Sequence, residues 1–103
     1  MGDSKRTFNF EEARALLPEV RERTRLALDA LAALQAPGAE DPEVERILTE
    51  WVHGVQLLGA EVKGPWLVDF DSGSGYYCWK WPEERLEFFH GYEEGFAGRV
   101  RLQ

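Results

Sequence analysis

From Phe10 onward the apolar residues recur at helical spacing. Leu17, Val20, Thr24, Ala27, Leu31 and Leu34 follow one another at steps of three and four, a heptad seam along one face. Leu16, Leu26 and Leu28 widen that stripe. Asn9 stands just ahead of it with Glu12 three positions on, the pattern of a reciprocal capping box, and Phe8 is placed to staple onto the first turn. A helix is therefore expected to begin near Phe10. Pro18 lies inside it, removes one backbone donor and crowds the preceding turn, which predicts a kink or a short opening helix there. Ala36-Pro37-Gly38-Ala39-Glu40 is the break. Asp41 then caps a second helix, with Pro42 in the first helical position and Glu43 and Glu45 near the positive end of the dipole. Its seam runs Val44, Leu48, Trp51, Val55, Leu58 and Val62, and Gly59 or Gly64 is expected to end it. Two matched seams across a short connection predict an antiparallel helical hairpin over residues 8–64.

Beyond Gly64-Pro65 the period changes to two. Trp66 to Phe70 reads as a strand, Asp71 to Gly75 as a hairpin loop and Tyr76 to Trp81 as the returning strand. Pro82-Glu83-Glu84 turns the chain into Leu86 to His90; Gly91 to Arg99 reads as a compact loop or single helical turn, and Val100 to Leu102 as a candidate last strand. Along the second strand Tyr77, Trp79 and Trp81 alternate with Tyr76, Cys78 and Lys80, so the two sets face opposite sides. The expected fold is α+β: one domain over residues 1–103, a helical hairpin (8–64) packed on a small three-stranded antiparallel β-meander with a C-terminal loop (65–103).

Composition narrows the function classes. The net charge of -7 is concentrated in residues 36–62, which carry six acids and one base, so a broad basic surface for nucleic acid is not expected. A lone cysteine rules out an internal disulfide and any four-cysteine zinc site. No apolar run approaches a membrane span or a signal peptide, and a cytoplasmic location without a membrane partner is expected. The heptad stripes exceed what one small sheet covers, which predicts a homodimer through the helical hairpin.

The chemistry-bearing residues gather in the last third: Cys78 beside Trp79, His90 after Phe89, and Arg99 after Gly95 and Gly98, with Asp69 in a strand where a carboxylate is unfavourable. Adjacent antiparallel strands can bring Cys78 and His90 onto one face. Arg99 is suited to grip a carboxylate or phosphate bidentately, and it is equally suited to pin its loop to Asp69. His53, on the second helix, is given no site role.

The opening Phe8-Asn9-Phe10-Glu11-Glu12-Ala13-Arg14-Ala15-Leu16-Leu17-Pro18, together with Leu67-Val68-Asp69-Phe70, Cys78-Trp79-Lys80, His90 and Gly95-Phe96-Ala97-Gly98-Arg99, resembles the prokaryotic family catalogued as domain of unknown function 2203. Two departures stand out. Phe89 occupies the place of a family tryptophan, and Trp81-Pro82-Glu83-Glu84 replaces a Leu-Gly-Glu turn, so that two glutamates stand where the family has one. The resemblance carries no activity with it.

The reading that follows is a binding or regulatory module for a small molecule or protein partner, with a surface formed by Asp69, Cys78, Trp79, His90, Gly95, Gly98 and Arg99. The alternatives are a small enzyme, using Cys78 or His90 as the reacting group with Arg99 anchoring an anionic substrate, and a purely structural oligomerisation protein. No pair of candidate ligands shows the close spacing of a zinc or EF-hand motif. No cofactor and no metal is therefore specified, and a metal held by Cys78 and His90 with a carboxylate stands behind the other readings.

Overall fold

The computed structural model describes residues 6–35, 37–38 and 40–102. Helix α1 (Phe10–Ala32) opens with the expected reciprocal cap: the Glu12 backbone N–H donates to Asn9 Oδ1 at 2.8 Å, and the Asn9 N–H donates to Glu12 Oε1 at 2.9 Å. It runs continuously through Pro18. Ala13, Leu17, Val20, Thr24 and Ala27 form its buried stripe, whereas Leu26, assigned to that stripe from the sequence, is 53% exposed. The break between the helices lies only partly within the described residues, Ala36 and Ala39 falling outside them, as do residues 1–5 at the N-terminus.

Helix α2 (Pro42–Leu57) starts where Asp41 accepts from the Glu43 N–H at 2.8 Å, and it buries Ile47, Trp51, Gly54 and Val55. It stops at the earlier of the two candidate glycines. Gly59 takes φ +95°, a left-handed conformation that a helix C-terminus uses and only glycine adopts without strain. Val62 therefore does not continue the helical seam. It lies in a strand, β1 (Glu61–Gly64), that the sequence reading had folded into the hairpin.

Among the described residues the sheet accordingly has five strands rather than three: β1, β2 (Leu67–Asp71), β3 (Tyr76–Lys80), β4 (Phe88–His90) and β5 (Val100–Arg101), in the order β1-β2-β3-β4-β5. Every neighbouring pair is antiparallel. The turn from β1 to β2 places Trp66 at φ +60°, a conformation costing a bulky side chain roughly 1–2 kcal/mol. The Trp66 ring packs edge-on to Trp51, 4.8 Å between centroids, which offsets that cost. The overall class is α+β.

Side chains opposite one another across strands share a face. Val62, Val68 and Trp79 form one row, and Phe70, Tyr77, Phe89 and Val100 form another on the same side. Val68, Phe70 and Trp79 join Leu17, Val20, Trp51 and Val55 of the helices in one hydrophobic cluster. Ring contacts Phe8–Phe70 and Phe10–Tyr77 strengthen the join. Within it, the Trp51 indole N–H donates to Thr24 Oγ1 at 2.8 Å, and that hydroxyl donates to the Val20 carbonyl at 2.8 Å. The other side of the sheet carries a different row, Glu61, Asp69, Cys78, Phe88 and Arg101, crossing all five strands, with Asp71, Tyr76 and His90 beside it. None of the helices among the described residues is long and apolar enough to cross a membrane.

Candidate functional site

The registers decide which polar groups meet. Asp69 stands directly opposite Cys78, and His90 stands opposite Tyr76, one step along the sheet from Cys78 on the same face. The three side chains converge: a carboxylate oxygen of Asp69, the Sγ of Cys78 and a ring nitrogen of His90 lie within 4.8 Å of one another. All three residues are buried, at 1%, 0% and 4% exposure.

Hydrogen bonding fixes the histidine ring. Its Nδ1 is 2.8 Å from the Gly91 carbonyl oxygen, and because a carbonyl only accepts, Nδ1 carries the hydrogen. Nε2 then points at Asp69 Oδ2, 3.0 Å away. The other carboxylate oxygen, Oδ1, is buried without a hydrogen-bond partner among the described residues. An orphaned acceptor in such a place costs about 1–3 kcal/mol, which packing alone gives no reason to accept.

Two cations flank the group. Lys63 Nζ lies 3.6 Å from Asp69 Oδ2, 3.5 Å from Glu61 Oε1 and 3.8 Å from the centre of the Tyr76 ring. Partial burial opposes the Lys63 charge, but the Tyr76, Asp69 and Glu61 groups outweigh it and raise its pKa. Arg99 Nη1 approaches Cys78 Sγ at 3.9 Å, and its guanidinium carbon lies over the Phe88 and Phe96 rings, 3.9 and 4.1 Å from their centres.

Arg99 is not the partner of Asp69. Both its terminal nitrogens bond the Glu83 carboxylate, Nη1 to Oε1 at 3.1 Å and Nη2 to Oε2. Glu83 also accepts from the Lys80 N–H through Oε1 at 2.9 Å, and its main-chain oxygen accepts from the Trp79 indole at 2.7 Å and from Arg21 Nε of α1 at 3.1 Å. Of the two glutamates in that turn, Glu83 is thus the structural one. Sequence reasoning missed both Glu83 and Lys63. Their signal was indirect: a buried arginine requires a carboxylate, and a carboxylate in a strand requires a cation.

The remaining sequence candidates lie elsewhere. Trp79 is fully buried on the apolar face. Gly95 and Gly98 are exposed, bracketing the short 3₁₀ turn Phe96–Gly98 that delivers Arg99. A cleft of about 490 Å³ opens away from the cluster, lined by α1 residues such as Phe10, Leu17 and Arg21 and by Glu84–Glu87. The cluster therefore lies buried in the sheet, apart from that cleft.

The electrostatics bear on reactivity. Burial first, and the Asp69 carboxylate second, push the Cys78 thiol from its ordinary 9.0 up to about 12, and Arg99 offsets this only in part. A thiol so held is a poor nucleophile at neutral pH.

Comparison with curated proteins and with solved structures gives no match. A family model described as "Uncharacterized conserved protein (DUF2203)" matches residues 38–102, a span that takes in α2, every strand and the whole Asp69, Cys78 and His90 cluster. With well over half of its length matched, the chain belongs to this family.

Proposed function

We propose that the protein is a cytoplasmic binding or regulatory module, homodimeric through an antiparallel hairpin of its two helices, whose ligand site is the polar face of the sheet around Asp69, Cys78 and His90. One observation carries the reading: a carboxylate, a thiol and an imidazole are gathered in a buried place, with one carboxylate oxygen left unpartnered. Buried ionisable groups are expensive, and well-packed apolar residues of similar volume often serve stability as well or better. The enzyme alternative has less support, because Arg99 is engaged by Glu83 and the Cys78 thiol is held neutral.

The double variant Asp69→Leu, His90→Phe tests this against a purely structural role. A melting temperature retained or raised is expected, since an apolar pair replaces a desolvated polar one. A drop of about 10 °C or more assigns the cluster to stability and overturns the reading. The dimer is supported by apolar side chains left bare on the helices, Leu26 at 53% and Leu57 at 73% exposure. Light scattering in dilute solution is expected to give twice the chain mass; a mass near 11.8 kDa removes the dimer.

A further inference from the structure

His90 Nε2 faces the Asp69 carboxylate. With Nδ1–H committed to the Gly91 carbonyl, a neutral imidazole presents an acceptor at Nε2, and 3.0 Å away stands a second acceptor, Asp69 Oδ2. Two acceptors at that distance repel unless something positive lies between them: a proton or a metal cation. A histidine whose Nδ1–H is anchored on a backbone carbonyl while Nε2 faces a carboxylate and a thiol has the orientation that metal-ligating histidines show.

We propose that Asp69, Cys78 and His90 form the binding centre for a borderline-soft divalent transition-metal cation such as zinc, an inference that rests on the binding reading above and names its ligand class. Oxygen, sulfur and nitrogen donors together are a set that zinc accepts. Because the three donor atoms lie within 4.8 Å of one another, a point exists within roughly 2.8 Å of all of them, and a small inward movement reaches the ~2.0–2.3 Å of zinc bonds. Asp69 Oδ1, buried and without a hydrogen-bond partner among the described residues, supplies an independent observation. Charge agrees as well. The cysteine proton leaves to solvent on coordination, and the thiolate with the Asp69 carboxylate neutralises the ion's two charges. A fourth position is left for water or an incoming ligand, as in open zinc sites. Lys63, whose side chain is 35% exposed, holds the carboxylate when no ion is bound and can swing to solvent when one arrives.

The test uses the full chain, purified without a histidine tag, stripped with chelator and titrated with cobalt(II) as a spectroscopic stand-in for zinc. Binding of one equivalent is expected, with the near-ultraviolet charge-transfer band of a cobalt–thiolate bond and its displacement by zinc. Cys78→Ser is expected to abolish that band. Asp69→Asn and His90→Gln should each weaken binding about tenfold or more, whereas Lys63→Gln should tighten it. Absence of the thiolate band from the unaltered protein, or cobalt binding that Cys78→Ser leaves unchanged, overturns the metal centre. Failure here leaves the Asp69→Leu, His90→Phe melting result standing, so the loss of the metal and the loss of the binding reading are told apart.

Discussion

The two faces of the sheet are built from the same strands and obey opposite rules. On the apolar face Val68, Phe70 and Trp79 are buried against helix residues, and even the polar atoms there are served, with Trp51 donating to Thr24 and Thr24 to Val20. On the polar face Asp69 and Cys78 are buried just as completely, yet among the described residues one carboxylate oxygen has no hydrogen-bond partner. Burial alone therefore does not distinguish a core from a site. What distinguishes them is whether the buried polar atoms are satisfied within the chain.

Truncating one residue on each face should have unequal costs. Trp79→Ala should cost about 3–5 kcal/mol in urea denaturation, through lost apolar burial and the cavity left behind. Cys78→Ala, the next residue in the strand and equally buried, should cost about 1 kcal/mol, having little apolar volume to lose. Equal losses would mean that both faces are core. An effect between these two, about 1–3 kcal/mol, is expected of Thr24→Val, which keeps the shape but strands the Trp51 indole N–H. No loss there would show that the apolar face tolerates an orphaned polar atom as the polar face does.

A pH dependence is expected as well, in chelator-treated protein. Folding keeps the Cys78 thiol protonated up to about 12, whereas the unfolded chain gives its proton up near the ordinary 9.0. Below 9.0 both states hold the proton and Cys78 leaves stability unchanged with pH; between 9.0 and about 12 the unfolded state gains, so stability falls as pH rises. Comparing denaturant midpoints across that window with those of Cys78→Ala isolates the contribution, and coincident curves would remove it.

Much of the fold was legible because it is local. The Asn9–Glu12 and Asp41–Pro42 starts depend on residues within one turn, and β2, β3 and the hairpin between them announce themselves by alternation around Ser72-Gly73-Ser74-Gly75. β1 was not legible. Val62 falls on the heptad step from Leu58, so periodicity carries the helix through Gly59, and only the positive φ there ends it. That error hid Lys63 from the site, because a residue assigned to a helical hairpin is not weighed as a neighbour of Asp69. The cluster itself was half visible: Asp69, Cys78 and His90 could be named from residue type. Which carboxylate Arg99 meets depends on a turn and a register that short strands leave unspecified.

Glu83 joins two parts of the molecule. Its carboxylate serves Arg99 on the polar side while its main-chain oxygen holds the Trp79 indole and α1 through Arg21. The two duties are chemically separable, since a side-chain substitution such as Glu83→Gln loosens the grip on Arg99 and leaves the carbonyl in place. The turn therefore works as a mechanical coupling between the C-terminal loop and the first helix, with one end that can be uncoupled by mutation and another that cannot.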